Sequence, residues 1–466
     1  MKKLLCFGVV CLLFLGNCRQ TAEPSGFTLT TFQADVTPPV GHMLLTGKFQ
    51  TATGIHTRLE ARGLVLQIPN DQAVVICAVD WAEIRNETYD QWRDRLAEAA
   101  GTSRERVFLS SIHQHDTPMG DLGAERALRS LGSPFHVIDP KFHERALQGV
   151  VEAVRKSLSH ARPVTHIGVG SGKVKKIASN RRYLSADGTP KFDRGSACHI
   201  PEAQHAPEGA IDPFLKTLSF WNGDEELAAY SVYATHPMSY YGTRQVDSDF
   251  PGLARARRQK DTPGTLQIYA TGCSGNVTAG KYNDGNPANR EVLADRLYKG
   301  MLLASRNTTK VRLKSASFRN ERLTIQPRRT EGFTRPDLLR KIRESSDARD
   351  HLLASLGLSW LDRIEKEGST IDVPSLEFNH NEAQIVLLPG EIYVNYQIYA
   401  QGLAPTRFIM TPAYGESAPG YIPLERHWAE HDHNLDVWCW VSQGMERPIE
   451  AVLKKLISDS SGEGGK

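Results

Sequence analysis

Two histidines stand two residues apart in the segment Ser111-Ile112-His113-Gln114-His115, directly after the apolar run of residues 106–109. This run predicts a buried strand, and side chains two residues apart in a strand share one face. We therefore expect His113 and His115 to project together. Imidazole nitrogen is a favoured ligand of zinc. The pair predicts a metal site, although a structural role for both rings stays open from these residues alone.

Three further polar residues follow apolar runs at a distance along the chain. They are His236 in Ala234-Thr235-His236-Pro237, Glu391 in Leu388-Pro389-Gly390-Glu391, and Tyr421 in Ala418-Pro419-Gly420-Tyr421. Proteins of the α/β class place their sites where strands end. Taken singly, each residue also has a structural explanation: a core histidine before a proline, a carboxylate capping a helix, and a packed aromatic ring.

A competing metal set is formed by His427, His431 and His433, because residues four apart share one face of a helix. The segment of residues 428–433 is strongly polar and follows no strand end that would hold it rigid. We therefore expect these histidines to face solvent or to lie at the rim of a substrate site.

Strands and helices alternate around these residues. The hydrophobic periodicity and turn signals predict an α/β fold: a single large domain with a mixed β-sheet flanked by helices, and a metal site at strand ends and loops. Asn86 is the predicted cap of the first helix. The predicted strands span residues 64–66, 73–79, 106–109, 215–221, 227–233 and 384–388, and the predicted helices span residues 87–100, 140–158, 289–304, 336–366 and 448–457.

The composition is that of a globular protein. Of 466 residues, 40% are hydrophobic and 23% are charged, and 56 Lys and Arg stand against 53 Asp and Glu. A net charge of +3 without long basic runs argues against a nucleic-acid partner. We expect one folded domain over residues 27–458 and a disordered tail over 459–466.

The first residues read as a targeting segment. Lys2 and Lys3 precede an apolar stretch at residues 4–15, which predicts a signal peptide over 1–17 and an exported protein. The stretch is shorter than the roughly 20 residues of a spanning helix. Leu15-Gly16-Asn17-Cys18 resembles a bacterial lipobox, with Asn17 where a small residue is usual. We expect a lipidated Cys18, a linker over 18–26 and a cell-envelope lipoprotein, periplasmic or on the surface; plain secretion is the alternative.

Four cysteines lie beyond the targeting segment and Cys18: Cys77, Cys198, Cys273 and Cys439. Cys77 belongs to an apolar strand and is expected to be a buried thiol. A disulfide between Cys198 and Cys439 stays open, since an oxidising envelope would permit it.

The segments that carry His113, His236, Glu391 and Tyr421 resemble, in this order, the zinc-binding segments of the neutral/alkaline (non-lysosomal) ceramidase family. Residues 54–62, 179–182 and 247–252 resemble other segments of that family. The resemblance runs from Phe32 to Pro423 and corresponds to the family's N-terminal catalytic domain.

The resemblance implies a function and a set of roles. His113, His236, Glu391 and Tyr421 would bind zinc, and His115 and Arg181 would lie over the substrate. A water activated by zinc would cleave an amide (N-acyl) bond of a lipid or related substrate. His115 would take or donate the proton, and Arg181 would stabilise the oxyanion.

The chain departs from the family at a serine that ceramide-cleaving members carry. Gly272 stands at the position aligned with that serine, within Thr271-Gly272-Cys273-Ser274. Ser274 or Thr271 would have to supply the hydroxyl, or the activated water would act alone. Gly272 would contact the substrate or simply let the backbone approach closely.

Three further residues are candidates for substrate binding. His56 and Arg58 could line the cleft or form a cross-strand polar pair, and Asp249 could orient an imidazole or belong to the turn before Phe250-Pro251-Gly252. Two alternatives to a lipid amidase remain: a hydrolase of N-acylated or esterified glycans, and a non-catalytic envelope lipoprotein that retains the fold.

Overall fold

The structure is a computed structural model that describes residues 26–45 and 49–458. The predicted signal peptide, the lipidation of Cys18, the linker up to residue 25 and the tail over 459–466 lie outside the described residues. Among the helices of the described ranges, none combines the length and the apolar character needed to cross a membrane.

The predicted α/β class is confirmed, but the strands form several sheets where the sequence predicted one. Three larger sheets carry most of them, and all three mix parallel with antiparallel pairs. In spatial order the strands are Arg162–Pro163, Thr28–Asp35, Glu60–Gln67, Val74–Val79 and Val107–Ser111; Leu266–Thr271, Glu225–Tyr233, Phe214–Asn222, His166–Lys173 and Thr309–Arg312; and Ala316–Thr324, Thr370–Phe378, Ala383–Val386 and Phe408–Met410.

Six two-stranded sheets complete the described strands. They pair Met43–Leu44 with Gln50–Thr51, Gly54–Ile55 with Gln245–Val246, Glu83–Ile84 with Met119–Gly120, Ser179–Asn180 with Val277–Thr278, Tyr183–Leu184 with Pro190–Lys191, and Glu391–Ile392 with Tyr421–Ile422.

Helices pack around these sheets, and the predicted helices occur close to their expected bounds. The described α-helices are α1 (Asn86–Ala100), α2 (Leu122–Ser130), α3 (Pro140–Ser157), α4 (Pro201–His205), α5 (Asp249–Asp261), α6 (Ala288–Arg306), α7 (Arg335–Glu344), α8 (Ala348–Glu367), α9 (Val394–Leu403), α10 (Glu425–Ala429) and α11 (Glu446–Ile457).

Two helix predictions need correction. Asn86 does not cap α1: its φ is 55°, and its side-chain amide donates to Asp121 and Ser359. The helix predicted over 336–366 is two helices, because Asp347 accepts hydrogen bonds from the backbone N–H groups that open α8. A side chain that caps a helix start competes with continuation of the preceding helix.

The two five-stranded sheets direct their exit loops toward each other. Val107–Ser111 is fully buried and runs parallel to Val74–Val79, as its continuous apolar sequence favours. In the second sheet, Glu225–Tyr233 runs parallel to Leu266–Thr271. Thr271 is the last residue of its strand, and Ile112 is the first residue after Val107–Ser111. The hydroxyl of Thr271 donates to the carbonyl of Ile112 (2.7 Å), which joins the two sheets at these strand ends. His113 and His236 both lie on such loops.

All four cysteines in the described part of the chain are free and buried. The disulfide that the sequence left open between Cys198 and Cys439 is therefore not formed. Burial raises the pKa of the Cys77, Cys273 and Cys439 thiols to about 12, which keeps them protonated and inert.

Candidate metal centre

His113 and His115 meet as predicted, but the reason is not a shared strand face. The strand ends at Ser111, and His113 has a left-handed backbone (φ 75°) whose N–H donates to the carbonyl of Trp81 (2.9 Å). This turn brings the two ring centroids to 5.1 Å with the rings nearly perpendicular. The side chain between them, Gln114, donates instead to Asp80 (3.1 Å) on the opposite side of the segment.

The rings of His113 and His236 are held in the same way. Nδ1 of His113 donates to the carbonyl of Ala82 (2.8 Å), and Nδ1 of His236 donates to the carbonyl of Ser274 (2.6 Å). A carbonyl can only accept, so each Nδ1 carries the proton. The two Nε2 atoms then face a single atom, Oε2 of Glu391, at 3.2 and 2.9 Å.

Glu391 and Tyr421 are brought together by a short parallel pair of strands, in which they are directly opposite residues. A left-handed glycine precedes each of them: Gly390 has φ 60° and Gly420 has φ 62°. At Gly390 a Cβ would lie 2.7 Å from the carbonyl oxygen of Gly420, so only glycine permits this approach. The Pro-Gly steps of the sequence are thus what places both side chains.

Arg181 and His115 complete the centre. Nη1 of Arg181 donates to the phenol oxygen of Tyr421 (2.9 Å), and Nη2 lies 3.4 Å from Nε2 of His236. Both ring nitrogens of His115 are buried without a hydrogen-bond partner among the described residues. His113, His115 and His236 each present a nitrogen within 4.8 Å of the others.

The charges of the centre are coupled. Burial opposes ionisation of Glu391, yet His113 and His236 overcome it and hold the pKa of that carboxyl well below its usual value. Burial would lower the pKa of His113, but the carboxylate of Glu391 outweighs it and raises that pKa. Burial and the neighbouring His113 and His236 rings lower the pKa of His115 well below its ordinary value. His115 is therefore neutral at physiological pH.

This donor set fits a zinc ion. Two imidazoles with Nδ1–H anchored to backbone carbonyls, one carboxylate and one phenol supply the nitrogen and oxygen ligands that zinc accepts. An imidazole that binds zinc donates its other N–H to such a partner, which fixes ring orientation. His113, His236 and Glu391 would hold the ion, with Tyr421 or His115 at the open side.

A cavity of about 300 Å³ opens onto the centre. Its wall is mixed in character, with apolar side chains beside cationic and hydrogen-bonding groups. The lining residues are Leu45, Phe49, His113, His115, Arg181, Gly195, Ser196, Met238, Tyr241, Arg349, Glu391, Tyr421, Asn434 and Trp438.

Ser274 and Gly272 lie behind the centre and are not among the described residues that line the cavity. The hydroxyl of Ser274 is buried and pairs with the hydroxyl of Tyr414 (2.8 Å), whose ring stacks on His113 at 4.5 Å. At Gly272 a Cβ would lie 2.7 Å from the side-chain oxygen of Gln397. The structure therefore gives Gly272 the close-packing role and places the Ser274 hydroxyl one ring away from the centre.

The remaining substrate-binding candidates are not brought to the cavity. His56 is half exposed and pairs with Asp247 (2.5 Å), and Arg58 pairs at the surface with Asp35 (2.5 Å). Neither residue forms the cross-strand pair with the other. Asp249 contacts no imidazole within the described ranges; it begins α5 and accepts from the backbone N–H of Ser239. Burial raises the pKa of Asp249 to about 6.

The competing histidines do not form a metal set in the described structure. His431 and His433 are exposed, as expected, whereas His427 is buried against the ring of Tyr393 at 4.7 Å between centroids. The expectation of a solvent-facing or rim position is therefore wrong for His427. The segment is mostly polar in sequence, and the aromatic ring that covers His427 belongs to Tyr393, the residue before α9 and 34 positions earlier in the chain.

Sequence reasoning missed several residues of the centre. Tyr414 stacks on His113, Asn434 accepts from Arg181 (3.1 Å), and Glu83 lies buried with one oxygen 3.9 Å from Nδ1 of His113. Each makes its contact across more than 25 positions of sequence, so spacing carries no signal for it. The short strand pair that holds Glu83, beside Met119–Gly120, is two residues long and has no detectable period.

Comparison with known proteins adds a family and a fold. The family model described as neutral/alkaline non-lysosomal ceramidase, N-terminal, matches residues 27–277, so Glu391 and Tyr421 lie beyond the matched part. A neutral ceramidase of Oryza sativa subsp. japonica is 25% identical over 258 residues, which are 53% of this chain and 31% of that protein. The chain thus spans about a third of this relative.

Two solved structures share the fold. A neutral ceramidase from Pseudomonas aeruginosa superposes with a TM-score of 0.64 at 18% identity, covering 94% of this chain and 74% of that one. A structure described as ceramidase complexed with C2 gives a TM-score of 0.65 at 18% identity, covering 94% and 75%. At this identity the likeness establishes the fold alone.

Proposed function

The chain belongs to the neutral/alkaline non-lysosomal ceramidase family, and from this premise we propose that it is a zinc-dependent hydrolase that cleaves the amide bond of an N-acyl substrate. One observation carries the proposal. Two imidazoles, each anchored through Nδ1 to a backbone carbonyl, direct Nε2 at the same carboxylate oxygen of Glu391. A buried polar cluster that only served folding would not need one face open to a cavity.

The residues of the chain divide the work. Zinc, when bound, supplies a Lewis acid that polarises a carbonyl and lowers the pKa of water toward about 7. Arg181 presents its guanidinium to the oxygen that becomes negative when the amide carbon turns tetrahedral. His115 is neutral and neither of its nitrogens has a hydrogen-bond partner within the described ranges, so it can accept a proton from water and return it to the leaving nitrogen.

The substrate class follows from the family and from the cavity. An N-acyl lipid, with ceramide as the family's own substrate, is the first candidate. The cavity is at the small end of ligand sites, and its wall includes Arg349, Ser196 and Asn434 beside apolar groups. These polar groups favour, as a second candidate, an N-acylated or esterified sugar with a short acyl group. A binding protein that retained this fold without catalysis is the third.

The deciding experiment is a substrate panel with the zinc-loaded protein: ceramides of long and short acyl chain, an N-acetylated sugar, and an ester of each. Release of the acid is measured before and after chelation, after zinc is restored, and with His113→Ala. We expect turnover that chelation abolishes, zinc restores and the variant lacks. Turnover that survives both chelation and His113→Ala would refute the hydrolase; zinc binding without turnover of any compound would leave the binding protein.

We also propose that the protein is exported and held at the envelope through Cys18. Support comes only from the sequence of residues 1–18, whose charged start, apolar stretch and cysteine are those of a lipoprotein signal. Metabolic labelling with a fatty acid should mark the wild type and not Cys18→Ala. Equal labelling of both would exclude the anchor, and release of both into the medium would favour secretion.

A further inference from the structure

The segment of residues 430–434 forms hydrogen bonds with both arginines of the Ser179-Asn180-Arg181-Arg182 stretch. Glu430 pairs with Arg182 through two hydrogen bonds of 2.6 Å, and Asn434 accepts from Nη1 of Arg181 at 3.1 Å. This is the segment whose histidines the sequence suggested as a second metal set. Its contacts with the arginines give it a different task.

The amide of Asn434 can adopt only one orientation. Its Nδ2 donates to Oδ1 of Asp432 (2.8 Å) and lies 3.4 Å from the carbonyl of Phe192. Both partners are acceptors, so the NH₂ group must face them and the oxygen must face Arg181. Asp432 is itself buried and fixed, because its Oδ1 accepts from the backbone N–H of Asn434 (3.0 Å) and its Oδ2 from the hydroxyl of Tyr393 (3.0 Å).

Arg181 depends on these contacts for its orientation. The two hydrogens of Nη1 are shared between Tyr421 and Asn434, and Nε has no hydrogen-bond partner in the described residues. Two acceptors on one nitrogen fix the plane of a guanidinium. Without Asn434, only the bond to Tyr421 and the longer contact of Nη2 with Nε2 of His236 (3.4 Å) would hold the group, so it could rotate about the Tyr421 bond and turn Nη2 away from the centre.

We propose that Asn434 is a positioning residue for Arg181, and that Asp432 positions Arg181 indirectly by holding Asn434. The proposal rests on the proposed function, since Arg181 is taken to stabilise the oxyanion. Asp432 gives the cleaner test, because it is buried and is not among the described residues that line the cavity. An effect of Asp432 on turnover must therefore reach the substrate through other side chains.

The test compares Asp432→Ala and Asn434→Ala with wild type, using the best substrate of the panel. Misplacing a catalytic group by about 1 Å costs about 100-fold in rate, so we expect kcat to fall about 10- to 100-fold with KM nearly unchanged and zinc content unaltered. The matched control is Asp436→Ala, which changes an exposed side chain of the 3₁₀ turn His433–Asp436 that contains Asn434 and should behave as wild type.

A double-mutant cycle separates positioning from general damage. If Asn434 acts through Arg181, then Asn434→Ala should lower kcat only slightly further in a protein where Arg181→Lys has already removed the planar guanidinium group. Additive losses in the double variant, or an equal rise of KM in both single variants, would overturn the proposal.

A second readout does not depend on activity. Crystal structures of wild type and Asp432→Ala should show Nη2 of Arg181 turned away from Nε2 of His236 in the variant, with the bond from Nη1 to Tyr421 kept. An unmoved Arg181 would overturn the positioning role, whatever the kinetics show. If the wild type binds zinc but hydrolyses nothing, the proposed function fails while this structural comparison still decides the inference.

Discussion

Two buried sets of charged groups lie on opposite sides of the segment His113-Gln114-His115. On one side, Asp80 accepts from Arg255 at 2.8 and 2.6 Å and holds the amide of Gln114. On the other side, the histidine centre of His113, His236 and Glu391 directs its ligand atoms at one point beside a cavity.

The difference lies in where each group finds its partner. Asp80 and Arg255 neutralise each other, which leaves little charge to act on anything else. In the histidine centre, backbone carbonyls accept from Nδ1 of His113 and His236. Their Nε2 atoms and the Glu391 carboxylate converge where a cation can bind. Burial and charge alone therefore do not mark a functional site. The mark of this site is that backbone carbonyls fix the rings while their remaining nitrogens and a carboxylate meet at one point beside a cavity.

Removing Glu391 should break the centre most severely. Glu391→Ala deletes the one oxygen that both Nε2 atoms face. Loss of a group that only hydrogen-bonds a metal ligand costs up to about 100-fold, so loss of this ligand should lower zinc affinity and turnover by more than that. Metal analysis after dialysis and the panel assay measure both. Full zinc occupancy in the variant would contradict the assigned centre.

His115 should separate chemistry from metal binding. With His115→Ala, proton transfer loses its side chain, and kcat should fall about 10²- to 10⁴-fold. Zinc content should stay at the wild-type level because His113, His236 and Glu391 remain. Loss of zinc together with turnover would instead make His115 a ligand.

The Asp80–Arg255 pair should show the opposite profile. Arg255→Ala leaves a buried carboxylate unpaired, which should lower the free energy of unfolding by about 3–5 kcal/mol. Turnover per folded molecule should fall far less than with Glu391→Ala. The control is Arg257→Ala, on the same helix as Arg255, which breaks an exposed pair with Glu291 of α6 and should cost less than about 1 kcal/mol.

Glu416 offers the smallest and most selective test. Burial raises the pKa of this carboxyl from 4.5 to about 7, although Arg363 opposes the shift. The unfolded chain releases this proton at lower pH, so stability should decline as pH rises from 4.5 toward 7, by at most about 3 kcal/mol. Chemical denaturation across this range should show the decline in wild type and not in Glu416→Gln.

Much of the centre was within reach of the sequence. The sequence could indicate these residues because short motifs in a fixed order and Pro-Gly steps mark the ends of strands. The residues that lie around one point as predicted are His113, His115, His236, Glu391, Tyr421 and Arg181. The predicted helices were found because their apolar pattern continues over several turns, as in α3, where residues 146, 147, 150, 151 and 154 are all buried; α2, α5 and α9 were not predicted.

The rest depended on contacts that no local pattern encodes. Asn434, Tyr414 and Glu83 reach the centre from loops and two-residue strands, and Asn86 leaves its expected capping role for partners in α8 and before α2. His56 and Arg58 lie in a segment that resembles the family, yet they pair with Asp247 and Asp35 and are not among the described residues that line the cavity. Similarity of a segment reports common descent of the fold, not contact with the substrate.

The backbone of His113 has a further consequence. Its φ of 75° is a conformation that costs an ordinary L-residue about 1–3 kcal/mol and costs glycine nearly nothing. The chain thus gives up stability at the one position where it most needs an imidazole. His113→Gly should relieve this strain and abolish activity, but it also deletes a buried ring that holds the Ala82 carbonyl and stacks on Tyr414, so the free energy of unfolding should not rise.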